Sequence, residues 1–134
     1  MLPPPMTSPD TRLPGFSFDI RPAANPGSVG TVRRLLRDAL VAVGSDPATP
    51  CLLLSELLTN ALLHGRAASV ALELRQGRLL MAVTDRSPAP VEVPPESATR
   101  TTGRGMTLVE ALADAWGVVP LGASGKTVWA VVAA

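Results

Sequence analysis

Residues 51–65 read CLLLSELLTNALLHG, and this stretch decides the fold. With about 100° between successive residues of a helix, its leucines lie on all sides, which predicts a helix that is buried over most of its surface. Glu56, Asn60 and His64 follow one another at intervals of four residues, so they form one polar stripe on this apolar helix. Burial of an acid or an amide without a partner is costly, so the stripe must face partners, water or a ligand.

The polar stripe also has simpler interpretations. It faces solvent, or Glu56 pairs with an arginine of the core. His64 by itself is typical of a helix end, where the negative end of the helix dipole favours an imidazole. Ser55 and Thr59 form a second, smaller stripe, and we expect their hydroxyl groups to hydrogen-bond the local backbone.

The start of the same helix has two candidates. Asp46–Pro47 and Thr49–Pro50 each combine a capping side chain with a proline that suits the first turn of a helix. Gly65 is placed to end the helix. The pattern leaves open which of the two pairs begins it.

The segments on both sides of this helix predict an α+β fold. Alternating apolar residues at 16–20 predict a strand, and apolar residues at helical spacing over 29–43 predict a helix that ends at Gly44. Two strand patterns flank Gly77, a third helix follows over about 103–116, and two strands finish the chain. The order β-α-α-β-β-loop-α-β-β predicts a two-layer sandwich, with a mixed β-sheet covered on one face by about three helices.

Length and composition restrict the class of protein. The 134 residues suit one domain, and 46% apolar residues favour a folded chain. A net charge of +1 with 3% aromatic residues gives no indication of direct nucleic-acid binding. Cys51 is the only cysteine, which excludes a disulfide framework and suits a reducing compartment. No apolar run approaches the roughly 18 residues of a membrane span.

These properties predict a cytoplasmic protein without a membrane partner. Residues 1–15 are rich in proline and show no secretory pattern, so we expect a flexible tail, with a docking peptide as the alternative. We expect residues 16–134 to form the folded domain.

An acidic residue stands at the exit of the second hairpin strand. Asp85 follows an apolar strand and precedes residues 86–102, which contain four prolines and predict neither helix nor strand. A carboxylate in this place is suited to accept a hydrogen bond from a ligand amine. A turn-initiating aspartate is the simpler interpretation. A loop of this length inside a compact domain is often functional.

Two glycines introduce the third helix. Gly103 and Gly105 leave backbone N–H groups open to an anion at the positive end of the helix dipole, and Arg104 adds a charge. A helix cap or a tight turn is the simpler explanation. Residues 125–127 (Gly-Lys-Thr) match the end of a phosphate-binding P-loop, but no glycine stands at position 120 and a strand follows, which excludes that motif.

Taken together and in this order, three motifs resemble those of the GHKL ATPase superfamily, which has the Bergerat fold. They are residues 56–64 (ELLTNALLH), Asp85 after a strand, and residues 103–106 (GRGM) before a helix. Within this superfamily, the chain is most similar to the anti-sigma factor serine kinases and to small ATP-binding regulators of actinobacteria. The similarity lies in its small size and in the segments ELLTNALLHG, GRGMTLVEALADAWG and GKTVWAVV. The resemblance covers about residues 16–133 and implies a domain that binds ATP with Mg²⁺.

The resemblance assigns roles to two residues of the polar stripe. Glu56 matches the acid that acts as the catalytic base and polarises the attacking hydroxyl or water. Asn60 matches the amide that holds Mg²⁺ against the triphosphate. The chemistry agrees, because Mg²⁺ prefers oxygen ligands and substrate phosphates, and phosphoryl transfer needs positioning and charge neutralisation. His64 receives no chemical step.

The resemblance also assigns the remaining nucleotide-binding residues. Asp85 matches the acid that accepts a hydrogen bond from the adenine amino group, and Thr127 matches a hydroxyl that helps Asp85 to hold adenine. Gly103 and Gly105 match the glycines that lie near the phosphates, with Arg104 between them.

The segment after Asp85 departs from the superfamily pattern. Many members continue with D-x-G-x-G, whereas Asp85 is followed by Arg-Ser-Pro-Ala-Pro at positions 86–90, in the segment 86–102 that corresponds to the ATP lid. Both glycines are absent, and prolines restrict the backbone where positive φ or close approach to the nucleotide is expected. The departure is compatible with weak affinity and with slow or absent turnover.

The resemblance implies an ATP-dependent protein serine/threonine kinase that regulates transcription. Such a protein sequesters a sigma factor, or another regulator, and phosphorylates an anti-sigma factor antagonist with a STAS domain, so that partners are exchanged. Whether the chain forms a homodimer stays open. The alternative is a catalytically weak or silent GHKL-fold module that regulates a partner by contact alone, which the altered segment after Asp85 favours.

Overall fold

The computed structural model of the chain describes residues 2–4, 14–64, 68–86 and 104–134, without the side chains of His64, Ala68 and Arg104. Several predictions from the sequence therefore lie outside the described residues. They are most of the tail at 1–15, Gly65, Gly103, the segment 86–102 beyond Arg86, and the environment of the His64 and Arg104 side chains.

The order of helices and strands is the predicted one. The elements are β1 (Phe16–Ile20), α1 (Gly27–Ala42), α2 (Ala48–His64), β2 (Ala68–Arg75), β3 (Arg78–Asp85), α3 (Arg104–Leu112), β4 (Ala115–Pro120) and β5 (Lys126–Ala133). A short 3₁₀ turn, Gly122–Ser124, connects the last two strands. Among the described residues, no helix is long and apolar enough to cross a membrane.

The α+β sandwich is confirmed, but its sheet is not mixed. The strand order is β1-β2-β3-β5-β4, and all four pairings between the described strands are antiparallel. β2 and β3, and likewise β4 and β5, are consecutive strands with short connections, which make such pairs antiparallel.

The core lies between the helices and one face of the sheet. Along β3, alternate residues are buried against the helices, beginning at Leu79 and ending at Asp85, and the residues between them point to the other face. The largest fully buried apolar side chains of this core are Leu36, Leu40, Leu53, Leu54, Leu58, Val70, Leu72, Leu79, Met81, Val83 and Val109.

The start and the buried surface of α2 explain its stability. The N–H of Ala48 donates to Oδ1 of Asp46 at 2.9 Å, so Asp46–Pro47 is the correct one of the two candidate starts. Most of the leucines of α2 are buried, but Leu52 and Leu63 are 41% and 57% exposed. The leucine pattern therefore predicted burial on too many sides of the helix.

α3 ends earlier than the apolar spacing indicates, and Trp116 lies in β4. Asp114 provides the reason, because it turns the chain into the sheet. Its N–H donates to the carbonyl of Val131 at 2.9 Å, and its Oδ2 accepts from the N–H of Ala133 at 3.0 Å.

Two leucines of α2 provide a matched test of this packing. Leu54→Ala removes a side chain that is 0% exposed, so we expect the free energy of unfolding to fall by about 2–5 kcal/mol. Leu52→Ala, two residues away in the same helix, removes a 41% exposed side chain and is expected to cost less than about 1 kcal/mol. Urea denaturation measures both values. Equal losses in the two variants would contradict the packing described.

Candidate functional site

Two residues of the polar stripe of α2 lie at the border between core and solvent. Glu56 and Asn60 are half-buried and one helical turn apart. Within the described part of the chain, no residue forms a hydrogen bond or ion pair with either side chain, so the alternative interpretation, a pairing of Glu56 with a core arginine, is not found. Ser55 behaves as expected, since its hydroxyl donates to the carbonyl of Cys51 at 2.8 Å. A half-buried acid and amide that have no partners among the described residues are available to a ligand.

Asp85 is buried at the last position of β3, on the face that the helices cover. It is 2% exposed, and its Oδ1 accepts a hydrogen bond from Nζ of Lys126 at 3.3 Å. Both side chains are removed from solvent, with relative exposures of 2% for Asp85 and 7% for Lys126. The acid that was predicted to accept from adenine is thus one half of a buried ion pair.

The backbone holds this pair in register. Asp85 and Lys126 stand opposite each other in the antiparallel pairing of β3 with β5. Gly125, directly before Lys126, has a φ of 119°, and a Cβ at this position would lie 1.9 Å from the carbonyl oxygen of Asp85. Only glycine lets the chain pass so close to the end of β3, and this passage brings Lys126 beside Asp85.

The structure does not bring Thr127 together with Asp85. Thr127 pairs with Thr84, and their hydroxyl oxygens are 2.6 Å apart. Since successive residues of a strand point to opposite faces, both hydroxyls lie on the face of the sheet that is away from the helices. The predicted role of Thr127 beside Asp85 therefore has no support in this geometry.

Lys126 is the site residue that the sequence analysis missed. The sequence of β5 does not predict on which face of the sheet Lys126 lies, because residues 128–132 are apolar at every position. The alternation of Val128, Ala130 and Val132 in the core places Lys126 on the same face, but this alternation is visible only in the structure. Lys126 is also the only lysine of the chain.

The three predicted motifs lie on elements that pack against one another. α2 packs on β3 and on α3, so the polar stripe, the strand of Asp85 and the helix that follows the glycines share one region of the fold. α3 begins at Arg104, and Gly105 lies in its first turn, as predicted. Gly103 lies outside the described residues.

A groove on the other face of the sheet is separate from this region. It is lined by residues of the first three strands, among them Asp19, Ser69 and Thr84, and by none of the predicted site residues.

Gly125 and Gly122 provide a matched test of the close passage beside Asp85. Gly125→Ala places a methyl group against the backbone of Asp85 and Arg86 and is expected to lower the free energy of unfolding by about 2–5 kcal/mol. Gly122 also has positive φ, at 63°, but no atom lies within 4 Å of a Cβ there, so Gly122→Ala is expected to cost about 1–2 kcal/mol. Urea denaturation compares the two. An equal cost would mean that the contact at Asp85 does not constrain the fold.

Comparison with known proteins gives the family. The family model described as "Histidine kinase-like ATPase domain" matches residues 23–132. No curated protein matches the chain.

Several solved structures are similar to the chain, among them the following two. The structure of the RsbU and RsbW domains of Rv1364c from Mycobacterium tuberculosis has a TM-score of 0.66 and 26% sequence identity, with 86% of this chain covered. This chain spans 31% of that one. A histidine kinase domain from the blue-light activated histidine kinase of Erythrobacter litoralis EL346 is more remote, with a TM-score of 0.49 and 19% identity over 84% of this chain and 61% of that one.

The motifs, the fold and the family model agree. The chain belongs to the family of histidine kinase-like ATPase domains, within the GHKL superfamily that its three motifs resemble.

Proposed function

We propose that the chain is a protein serine/threonine kinase of the anti-sigma factor type, which uses ATP and Mg²⁺ to phosphorylate a STAS-domain antagonist. One observation carries the proposal: Glu56 and Asn60 are half-buried, one turn apart and without a protein partner in the described chain. They lie on a helix that packs against the strand of Asp85. The likeness to a structure that contains an RsbW domain supports the same type of kinase.

The residues of α2 fit the metal and the transferred phosphate. Magnesium is usually held by one or two protein oxygens together with substrate phosphates, and it neutralises the charge that develops during transfer. The amide oxygen of Asn60 is a suitable ligand, because the side chain is half-buried and has no partner among the described residues. Among those residues no three acidic, histidine or cysteine side chains form a metal-binding cluster.

Glu56 acts as the base in this proposal. It lies one turn before Asn60 on the same face of α2, so a substrate hydroxyl that meets the γ-phosphate is within reach of its carboxylate. The carboxylate accepts the proton of the attacking serine or threonine hydroxyl. Asp85 holds the adenine at the other end of the nucleotide, and the amino end of α3 receives the phosphates.

The product of this reaction explains partner exchange. A phosphate group adds about −1.5 to −2 charges at neutral pH, which is sufficient to break an interface that excludes charge. The partners in the proposal are a sigma factor, or another regulator, and the antagonist that receives the phosphate. We assign this activity to a domain over residues 16–134 and place it in the cytoplasm.

A second candidate function has specific support. The absence of the two glycines after Asp85 favours a catalytically silent module that regulates a partner by contact alone. Calorimetry separates the two functions, because the silent module shows no heat and no thermal shift with millimolar ATP and Mg²⁺.

Asn60→Ala tests the kinase proposal. Incubation of the wild-type chain with labelled ATP, Mg²⁺ and a STAS-domain antagonist is expected to label a serine or threonine of the antagonist. Asn60→Ala is expected to slow this labelling by about 100-fold or more, because several kcal/mol of charge stabilisation depend on the metal.

Thr59→Ala is the matched control, since Thr59 is the exposed neighbour of Asn60 on the same helix and lies off the polar stripe. Its labelling rate is expected to equal that of the wild-type chain. Undiminished labelling by Asn60→Ala would contradict the role of Asn60 as a magnesium ligand. If the wild-type chain does not label an antagonist that binds it, the silent module is favoured.

A further inference from the structure

Asp85 and Lys126 stand apart from the other polar residues of the fold. Among the described residues, the buried polar side chains are Ser28, Asp85 and Lys126, so the two charged ones are partners of each other. A buried ion pair is seldom more stabilising than apolar side chains of the same volume, because both charges lose their hydration. Stability alone therefore does not explain why β5 begins with a lysine.

A carboxylate alone is an incomplete partner for adenine. The amino group at C6 donates hydrogen bonds, and the ring nitrogen N1 beside it only accepts them. An ionised aspartate only accepts, so Asp85 satisfies the amino group and leaves N1 without a donor. An acceptor that is buried without a donor weakens binding, so recognition of this edge in a buried site calls for a donor beside Asp85.

Lys126 places a donor in this position. Its Nζ lies 3.3 Å from Oδ1 of Asp85, and the pairing of β3 with β5 fixes both residues on the same face of the sheet. A donor and an acceptor that lie side by side match the acceptor and the donor of the adenine edge. An ammonium group also has three N–H donors, so a hydrogen bond to Asp85 and one to a base are compatible.

We propose that Lys126 determines the base specificity of this site by donating to N1 of adenine while Asp85 accepts from the 6-amino group. The inference rests on the proposed binding of ATP and adds a residue that reads the base. In the same position, guanine turns its O6 towards the carboxylate and its N1–H towards the ammonium. An acceptor then faces an acceptor and a donor faces a donor, so neither hydrogen bond forms. The pair therefore selects adenine against guanine.

Analogues of ATP test the two contacts separately. In 1-deaza-ATP a C–H group replaces N1, and purine riboside triphosphate lacks the 6-amino group. Calorimetric titration of the wild-type chain with Mg²⁺ is expected to show that each analogue binds about tenfold or more weakly than ATP, because each leaves one buried partner unsatisfied.

Lys126→Met removes the donor and keeps the length of the side chain. In this variant ATP and 1-deaza-ATP are expected to bind with affinities within about twofold of each other. Purine riboside triphosphate is still expected to bind more weakly than ATP, because it has no amino group to donate to Asp85. Thr84→Val is the matched control, because Thr84 precedes Asp85 but points to the other face of the sheet. This variant is expected to discriminate between the nucleotides as the wild-type chain does. Should Lys126→Met not fold, Lys126→Gln keeps a neutral donor for Asp85. Its amide nitrogen is one bond closer to the backbone than Nζ of lysine, so it is expected to reach N1 less well and to reduce the loss of affinity for 1-deaza-ATP.

The outcomes separate this inference from the proposed function. A loss for 1-deaza-ATP that depends on Lys126 supports the inference. Equal affinity of the wild-type chain for ATP and 1-deaza-ATP overturns the inference and leaves the proposed ATP binding intact. A loss of affinity for 1-deaza-ATP that is unchanged in both Lys126 variants has the same meaning. The absence of any ATP binding at millimolar concentration overturns the proposed function and the inference together.

Discussion

The pairing of β3 with β5 is the constraint on which the candidate site depends. It joins the end of one strand to the start of the other, and Gly125 permits the close contact of their backbones. The result is that Asp85 and Lys126 share a dry region beneath the helices, where a hydrogen bond or an ion pair is stronger than in water. A displacement of β5 by one residue would turn Lys126 to the other face of the sheet and leave Asp85 without this partner.

The sequence predicted the elements and the family because these depend on local patterns. Leucine spacing and the Asp46 cap define α2, and the order of helices and strands follows from the positions of glycine and apolar alternation. The partner of Asp85 was not predictable in this way. It depends on the register of two strands that are distant in sequence, and residues 128–132 are apolar on both faces. The family resemblance placed Thr127 beside Asp85, whereas its hydroxyl meets Thr84.

The two ends of the candidate site differ in their physical state. At the α2 end, Glu56 and Asn60 are half-buried and without partners in the described chain, which suits groups that bind a hydrated metal and a transferred phosphate. At the β3 end, Asp85 is buried and already paired, which suits recognition of a flat, largely apolar base with few polar atoms. The membership of the chain in the histidine kinase-like ATPase family agrees with a nucleotide that spans these two ends.

A crystal structure of the chain with Mg²⁺ and a non-hydrolysable ATP analogue tests this account most directly. The account predicts adenine within hydrogen-bonding distance of the Asp85 carboxylate, and Mg²⁺ on the Asn60 amide oxygen between α2 and the phosphates. A structure obtained at saturating nucleotide in which side chains of the protein itself fill this region, with the analogue absent or bound elsewhere, would contradict it.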